Sequence, residues 1–315
     1  MDFRELSYVL AIAKHQNITK ASEALYVSQP TLSKFLISLE SELGVKLFRK
    51  LGHRYVLTYA GERYVDYANR ILRLKSDLDV ELADILKRDV GVLNLAFARM
   101  RCTYMLPGTL PDFRQLHPNV KVNIFEGSSD ENDRRLLEGQ VELAFYSRPA
   151  VENPQLDYEV LDREELLICT GKNHPLSRFA QQNPGSWPSL DPELLEKELV
   201  ILLQPEQRTR QITDALCQER RLHFANTVYT SNLPAAMGLV ARGYGVAFIF
   251  EPHLLHYAER EQIACYSVGR GRVIYDFVAA SRKGSYLPGY ARDYIELVRS
   301  LHQKDKETWA AANRK

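Results

Sequence analysis

Four hydrogen-bonding side chains occur within six residues, on what their spacing predicts to be one polar face of a helix. They are Gln29, Thr31, Ser33 and Lys34. Ser28 precedes them as an N-cap, and Pro30 lies in the first turn, where its missing N–H is not needed. Glutamine can pair bidentately with adenine, serine and lysine can reach bases or phosphates, and a threonine methyl can contact thymine. The pattern favours a helix that enters the major groove of DNA, although an ordinary solvated helix face would carry similar residues.

The elements on either side must hold this helix in place. Asn17 is an N-cap for a short preceding helix, in which Ala21 and Ser22 are small enough for another helix to approach closely. Residues 26–27 form the turn between the two helices. The second helix has an apolar face at spacings of four, three and four residues, which we expect to be buried: Leu32, Leu36, Leu39 and Leu43. Gly44 ends it.

A basic hairpin follows the second helix. Leu47 and Phe48 anchor it, a turn at 51–53 reverses the chain, and residues 55–57 return as a strand. We expect its basic side chains at phosphates or in the minor groove; they are Arg49, Lys50, His53 and Arg54. We also expect Thr19 and Lys20, at the start of the preceding helix, to bind phosphates. Residues 1–58 carry eight Lys or Arg against five Asp or Glu, which is the footprint of local polyanion binding in a chain of net charge +1.

The run from Ala21 to Gly61 resembles the N-terminal winged helix-turn-helix of the LysR-type transcriptional regulators. The matching motifs are Ser28-Gln29-Pro30, Leu39-Glu40, Leu43-Gly44, Leu47-Phe48 and Leu57-Thr58-Tyr59-Ala60-Gly61. Lys34 departs from the pattern, because arginine is frequent there and lysine lacks the bidentate fork that suits guanine. The resemblance implies an α/β protein overall, with an N-terminal all-α winged helix-turn-helix, a long linker helix and a C-terminal two-lobed α/β domain like a periplasmic binding protein.

A long helix is predicted to begin at Tyr59, after a cap at Thr58. Its apolar positions follow a four-three heptad in which only Lys75 is polar: Tyr64, Ala68, Ile71, Lys75, Leu78, Leu82 and Ile85. Such a seam favours a partner helix, with packing against its own domain as the alternative. The family resemblance likewise implies a homodimer through this linker, and two heads on an inverted-repeat site whose halves lie about one helical turn apart or more.

A hinge is predicted at 88–91. Beyond it the pattern changes to strands alternating with helices, of which the first is predicted at 106–116 and the last at 290–301. Predicted strands at 92–97, 120–125 and 141–145 open one α/β lobe, and strands at 166–169, 199–203, 227–229 and 245–249 belong to a second. We therefore expect a DNA-binding domain at 1–58, a linker helix at 59–90, an effector-binding domain at 91–305 and a charged tail at 306–315. Lobe I is expected at about 91–162 and 268–305, and lobe II at about 163–267.

The effector site is expected in the cleft between the lobes, beyond the carboxyl ends of the strands. By location in the family, the contacting residues are Ala98, Arg99, Met100, Arg101, Ser128, Ser129, Tyr146, Arg148, Leu203 and Gln204. Three arginines make this rim basic, and a helix starting beyond Ser129 adds the positive end of its dipole. We expect an anionic effector, a small carboxylate. The alternative is that the arginines are solvated or salt-bridged.

Several other classes of protein are disfavoured. The sequence has none of the nucleophile-elbow, phosphate-loop, dinucleotide or zinc-protease motifs, so an enzyme is not expected. The four cysteines lie tens of residues apart, which predicts no metal site; reduced, buried thiols are the simplest interpretation and a redox pair the alternative. No apolar run approaches the length of a membrane span and no secretory signal is evident, so a cytoplasmic protein is expected.

The sequence thus predicts a DNA-binding regulator that has double-stranded DNA, a small effector and further copies of itself as partners. A homotetramer is expected from the family, and contact with RNA polymerase if the protein activates. No cofactor and no metal are expected. The alternative is an architectural DNA-binding protein whose sensor domain no longer binds a ligand.

Overall fold

The computed structural model describes residues 2–52, 54–86, 90–183 and 186–312, with the backbone alone for 83–85 and 309–312. The chain divides into two compact units, Met1–Leu86 and Lys87–Lys315. No helix in the described part of the chain is long and apolar enough to cross a membrane.

The smaller unit is a helical bundle with a two-stranded hairpin. Its elements are α1 (Phe3–His15), α2 (Ile18–Ala24), α3 (Gln29–Leu43), β1 (Phe48–Leu51), β2 (Arg54–Leu57) and α4 (Tyr59–Ile85). Two of the three predicted caps begin α2 and α3: Asn17 accepts the Lys20 N–H at 3.0 Å, and Ser28 accepts the Thr31 N–H at 3.3 Å. Gly44 ends α3 in the left-handed region at φ 69°. Each helix therefore begins and ends where its capping residue allows.

The core of this unit lies between α1, α2 and α3. It contains Val9, Ile12, Ile18, Ala21, Leu32, Leu36, Leu39, Leu47 and Phe48. The prediction that Leu43 faces the core is wrong, because its position in the last turn of α3 leaves the side chain 41% exposed.

The linker helix α4 is buried in its first turns and exposed later. Ala68 is buried, and Tyr64 and Val65 pack against the core of their own unit. Leu78 and Leu82, further along the predicted seam, are 54% and 48% exposed. Packing within the unit, the alternative interpretation of the seam, therefore describes its first half. The Ile85 side chain and residues 88–89 of the predicted hinge lie outside the described residues.

The larger unit has ten strands in one mixed sheet among its described residues. They are β3 (Gly91–Ala98), β4 (Val120–Gly127), β5 (Leu143–Ser147), β6 (Leu156–Gly171), β7 (Ser189–Leu190), β8 (Leu199–Leu203), β9 (Asn226–Thr230), β10 (Val246–Phe250), β11 (Ile263–Val268) and β12 (Val273–Arg282). The helices are α5 (Cys102–Leu116), α6 (Ser129–Glu138), α7 (Arg208–Arg220), α8 (Leu233–Ala241), α9 (Glu251–Leu255) and α10 (Gly289–Ala312), with short 3-10 turns at Pro175–Phe179, Pro192–Leu195 and Arg260–Gln262.

Two parallel groups of strands form the cores of the two lobes. In lobe I, β3 pairs in parallel with β4 and β5. In lobe II, β8 pairs in parallel with β9 and β10. The long strand β6 joins the lobes: its first part pairs antiparallel with β12, and its last residues pair with β10 and β11. Parallel strands within each lobe direct their carboxyl ends to one edge of the sheet.

Three elements are longer than the sequence pattern predicted. β6 begins at Leu156 and spans 16 residues, where a short strand at 166–169 was expected. α5 begins at Cys102, one turn before the predicted start at Leu106, and has Pro107 and Pro111 inside it. α10 continues to Ala312, so the described residues of the predicted charged tail are helical. Polar, solvent-facing turns and internal prolines hid these extensions from the hydrophobic periodicity.

Candidate functional site

The polar residues predicted to meet DNA lie together on the surface of the smaller unit. We call Gln29, Pro30, Thr31, Ser33 and Lys34 the reading face; all are exposed except Ser33, which is half-buried. The hydroxyls of Ser28 and Thr31 are 2.7 Å apart and share a hydrogen bond. Ser28 therefore fixes the first turn of α3. Thr31 stays exposed at the start of α3.

The basic hairpin also forms as predicted. β1 pairs antiparallel with β2 from Phe48↔Leu57 to Leu51↔Arg54, and Gly52 turns the chain at φ 59°. The side chains of Arg49, Lys50 and Arg54 are exposed, as are those of Thr19 and Lys20 at the start of α2. His53, the remaining predicted contact, lies outside the described residues. The unit thus presents an exposed polar helix face and an exposed basic hairpin to the solvent.

A buried carboxylate on α3, the helix that carries the reading face, binds the start of the hairpin. Glu40, which is 6% exposed, accepts the backbone N–H groups of Leu47 at 2.9 Å and Phe48 at 3.1 Å through Oε1. Its Oε2 accepts the Lys46 ammonium at 2.7 Å. Sequence reasoning noted Glu40 as part of a motif but gave it no role. A buried acid among leucines needs partners nearby, and the turn after Gly44 supplies them.

Thr58 and Gly61 connect the hairpin to α4 over the same turn. The Thr58 Oγ1 donates to the Lys46 carbonyl at 2.6 Å and accepts the Gly61 N–H at 3.1 Å. A Cβ at Gly61 would lie 2.0 Å from the Leu47 carbonyl oxygen. The residue must be glycine for α4 to pass this close to the backbone, which explains why these residue types follow the hairpin.

A cavity of about 300 Å³ lies in the larger unit, where the parallel strands of both lobes end. The last residues of four strands line it: Ala98 of β3, Gly127 of β4, Ser147 of β5 and Leu203 of β8. Ser231 follows β9, and Phe250 ends β10; both also line the cavity. The cleft is therefore at the edge that the topology of open α/β sheets predicts.

Seven of the ten residues predicted to contact an effector line this cavity. They are Ala98, Arg99, Met100, Arg101, Ser128, Ser129 and Leu203. Gln204 is not among the lining residues; its backbone N–H donates to the Gln207 side chain at 2.9 Å.

Tyr146 and Arg148 also lie away from the cavity. Tyr146 is buried on the opposite face of β5 from its neighbour Ser147, since successive side chains of a strand alternate, and its hydroxyl donates to Asp133. The Arg148 guanidinium donates to Glu152 at 2.6 Å and Asp276 at 3.2 Å. The salt-bridged alternative therefore applies to Arg148.

Arg101 lines the cavity but is already neutralised. Its guanidinium is 3% exposed and makes a fork with Glu164, with Nη1 at 2.7 Å from Oε1 and Nη2 at 2.6 Å from Oε2. Nη1 also donates to the Tyr104 hydroxyl, and Nη2 to Ser147 Oγ, both at 3.1 Å. An anion in the cavity would have to compete with a buried bidentate partner, which makes Arg101 a structural cation of the cavity wall.

The positive charge available to a ligand lies at the mouth, at Arg99 and Arg208. Arg99 is exposed and adds to the lowering of the Glu131 pKa, which the Ser128 backbone N–H lowers most. Arg208 donates to Gln211 at 2.7 Å through Nη1, while its Nε is buried without a hydrogen-bond partner among the described residues. Its Nη2 is 3.9 Å from the exposed Asp130, a distance at which attraction is weak.

The N-terminus of α7 opens on the same space. The side chain of its N-cap residue, Gln207, does not cap the helix; it accepts the Gln204 N–H and donates to the Ser231 carbonyl at 3.1 Å. By contrast, Ser128 caps α6, and Asn232 caps α8 by accepting the Ala235 N–H at 3.1 Å. An uncapped helix N-terminus has N–H groups and a positive dipole end that suit an anion.

His253 forms part of the wall beside Phe250. Burial, with Arg101 and two further histidines nearby, holds its pKa well below the ordinary value, so the imidazole is neutral at physiological pH. Its Nδ1 is buried without a partner among the described residues. Met100, Leu203 and Leu233 add apolar side chains to the lining, and Glu131 and Glu206 add two carboxylates. The charged groups of the cavity are therefore of both signs, with Arg99 and Arg208 as the guanidinium groups open to a ligand.

Sequence reasoning missed the contribution of lobe II beyond β8. In lobe I the lining residue Glu131 was also missed. The missed lining residues of lobe II are Glu206, Gln207, Arg208, Thr209, Ser231, Leu233, Phe250 and His253. The same rule of strand ends, applied to the predicted strands at 227–229 and 245–249, would have found the last four. In the part of the chain that the structure describes, no group of three or more His, Cys, Asp or Glu side chains could hold a metal ion.

Two family models match the chain and together cover both units. "Bacterial regulatory helix-turn-helix protein, lysR family" matches residues 3–62. "LysR substrate binding domain" matches residues 87–303.

Individual relatives agree with the family models. The transcriptional regulator BenM of Acinetobacter baylyi is 25% identical over 252 residues, which are 79% of this chain and 80% of BenM. A regulator of Bacillus subtilis, YcgK, is 27% identical over 259 residues, 78% of this chain and 79% of its own. The solved structure of a full-length OxyR variant from Pseudomonas aeruginosa superposes with a TM-score of 0.69, at 25% identity over 96% of this chain and 97% of that one.

Proposed function

Because the chain belongs to the LysR family of transcriptional regulators, which bind DNA and carry an effector-binding domain, we propose that a small anionic effector controls its binding to an inverted-repeat operator. The observation that supports this proposal best is the cluster of anion-binding groups in the cavity lining. There the uncapped N-terminus of α7 and the guanidinium of Arg208 lie together, with Arg99 on the other lobe.

In the proposed complex, α3 lies in the major groove with the reading face on base edges. Gln29 and Ser33 are the direct readers, while Lys34 contributes a point charge to guanine or phosphate and lacks the geometric selectivity of arginine. The hairpin residues Arg49, Lys50 and Arg54 bind the flanking backbone or the minor groove. Ser28, Pro30 and Thr31 place the helix start close to the DNA, and Thr19 and Lys20 bind phosphates.

Binding to both halves of an inverted repeat requires two DNA-binding units and therefore a dimer. The exposed leucines of α4, Leu74, Leu78 and Leu82, form an apolar stripe on the second half of the linker, which we propose as the dimerisation surface. By analogy with the family, the dimers associate further into a homotetramer, and an activating protein would contact RNA polymerase. As a chromosome-binding regulator, the protein is proposed to act in the cytoplasm.

The effector is proposed to be a carboxylate with an apolar body. Its charged group would bind the N–H groups of the first turn of α7 together with Arg208 and Arg99. Its body would contact Met100, Leu233 and Phe250. Arg101 is neutralised by Glu164 and His253 is uncharged, whereas Glu131 and Glu206 bring carboxylates to the lining. The rest of the wall therefore suits neutral groups and hydrogen-bond donors. A cavity of about 300 Å³ is at the lower end of small-molecule sites.

The effector proposal is tested with a set of small carboxylates and their matched carboxamides. Carboxylates that fit should raise the melting temperature of the full chain, and the carboxamides should not. Arg208→Ala and Arg99→Ala should each weaken binding by on the order of tenfold to a hundredfold, the range for a hydrogen bond to a charged group. Arg148→Ala is the matched control, because it removes a guanidinium outside the cavity. Equal affinity in all four proteins would refute the anion-binding role of Arg99 and Arg208.

DNA binding is tested by footprinting on the region upstream of the protein's own gene. Ser33→Ala and Lys34→Ala should weaken protection while the oligomeric state is unchanged. Lys34→Ala should also reduce the slope of log affinity against log salt concentration by about one. Lys14→Ala, an exposed lysine of α1, controls for loss of charge. Full protection in both variants at physiological salt would show that the reading face is misassigned.

A further inference from the structure

Two buried cysteines lie opposite each other in the sheet of lobe II. Cys169 of β6 is paired in register with Cys265 of β11, and the two Sγ atoms are 3.3 Å apart. Both side chains belong to the apolar core beneath α8, in which Met237 and Val240 also lie. The remaining cysteines, Cys102 and Cys217, lie on α5 and α7. The sulfur pair is separate from the cavity, and neither residue lines it.

The hydrogen-bond register places this pair where cross-strand side chains come closest. Just beyond the strand ends, the Lys172 N–H donates to the Gln262 carbonyl at 2.9 Å, so that pair is hydrogen-bonded. Antiparallel pairs alternate, and Cys169↔Cys265 lies three positions further along the same register. It is therefore a pair without its own backbone hydrogen bonds, in which the Cα atoms are about 4.5 Å apart. That separation is within the range that disulfides span.

We propose that Cys169 and Cys265 are a disulfide site, which a hydroperoxide oxidises to a bond between β6 and β11. Closing the bond from the reduced pair requires the sulfur atoms to approach by about 1.3 Å, to the usual S–S length. Rotation of the two side chains supplies this approach, because the strands are already in register.

The chemistry balances with the peroxide as the oxidant. One cysteine loses its proton, and its thiolate attacks a peroxide oxygen, which breaks the O–O bond and gives a sulfenic acid and hydroxide. The second thiolate attacks the sulfenic sulfur and displaces hydroxide, which takes up a proton to leave as water. Two thiols and one hydrogen peroxide thus give one disulfide and two waters.

Burial controls the rate of this reaction. Desolvation, together with the neighbouring Cys169 thiol, raises the pKa of Cys265 well above its ordinary value. The thiolate is therefore scarce at neutral pH, and we expect oxidation to be slow and to accelerate as the pH rises. Once formed, the bond closes a loop of nearly a hundred residues and should stabilise lobe II against unfolding.

The test uses the full-length reduced protein. It is incubated with hydrogen peroxide at pH 7 and pH 9, denatured, alkylated with N-ethylmaleimide and digested for mass spectrometry. We expect a cross-linked peptide pair that joins residues 169 and 265, a fall from four alkylated cysteines to two, and a faster reaction at pH 9. The oxidised protein should melt several degrees higher, and a thiol reductant should reverse this shift.

Two variants serve as controls. Cys265→Ser should give no cross-link and no rise in melting temperature on oxidation. The double variant Cys102→Ser/Cys217→Ser should behave like the unmodified protein, since it retains both partners. The proposal fails if the wild-type protein keeps four alkylatable thiols, if its cross-link involves Cys102 or Cys217, or if Cys169 and Cys265 appear only as sulfinic or sulfonic acids. The wild-type peptide map decides the question even if Cys265→Ser does not fold.

Discussion

Glu40 carries the connection between the reading helix and the basic hairpin, and removing it should loosen both. In Glu40→Ala, the backbone N–H groups of Leu47 and Phe48 lose the oxygen that accepts them at 2.9 Å and 3.1 Å. Both residues are buried, so water does not readily replace the lost acceptor. The neighbouring Lys46 ammonium is largely exposed and loses little.

The size of the effect follows from the two orphaned groups. A buried donor left without a partner costs about 1–3 kcal/mol, so two of them cost about 4 kcal/mol. Glu40→Gln should cost about half as much, because the amide oxygen can still accept both N–H groups while its NH₂ group faces the Lys46 ammonium. The loss should appear in the opening of the turn and hairpin, where the accepted groups lie.

Hydrogen exchange followed by mass spectrometry measures this opening in the intact protein. For peptides that cover 45–58, about 4 kcal/mol corresponds to exchange that is faster by on the order of a thousandfold. Operator affinity should fall in parallel, because the hairpin and α3 no longer share one fixed geometry. Glu42→Ala is the matched control: it removes an exposed carboxylate two residues away on the same helix. If Glu40→Ala exchanged no faster than Glu42→Ala, the assignment of Glu40 as the connection would be wrong.

Three further changes test other parts of the structure. Gly61→Ala should destabilise the smaller unit by about 3 kcal/mol, because its Cβ would meet the Leu47 carbonyl. Gly44→Ala should cost only about 1 kcal/mol, because the space around it is open and only its positive φ is strained. Denaturant unfolding compares the free energies of unfolding of the two variants. Leu78→Lys with Leu82→Lys should shift the protein toward monomers in sedimentation, while Leu116→Lys, exposed on α5, should not. The pKa of His253 is lowered in the folded protein, whereas in the unfolded chain it is about 6.5. Below that pH the unfolded chain binds a proton that the folded protein does not, so stability falls as the pH falls. As the pH is lowered from 8 to 5, the melting temperature of His253→Gln should therefore fall less steeply than that of the unmodified protein.

Local chemistry made the DNA-binding unit predictable. The caps at Asn17 and Ser28, the stop at Gly44 and the hairpin turn each depend on residues within a few positions of one another, and all four form as predicted. Glu40 was harder to interpret, since its partners lie seven and eight residues away across a turn. The burial of α4 in its first half was only the alternative interpretation of the seam, because a heptad pattern records which face is apolar and not which neighbour covers it.

The cavity was predictable in position and less so in charge. Its place follows from the strand order, which alternating strands and helices indicate. Whether an arginine near a strand end is available to a ligand depends on partners far away in sequence: Glu164 lies 63 residues from Arg101, and Asp276 lies 128 residues from Arg148. The sequence predicted three arginines at the cleft. Of these, only Arg99 remains available to a ligand, and the structure adds Arg208.

The ion pair between Arg101 and Glu164 also bears on how a ligand could act. Arg101 precedes α5 in lobe I, whereas Glu164 lies on β6, the strand that continues into lobe II. An anion that displaced Glu164 would leave a carboxylate that is 1% exposed without its cation, which is strongly unfavourable. An anion held at Arg99 and Arg208 meets no such cost and draws together residues of the two lobes. Ligand binding is therefore expected to close the mouth while the Arg101–Glu164 pair stays intact.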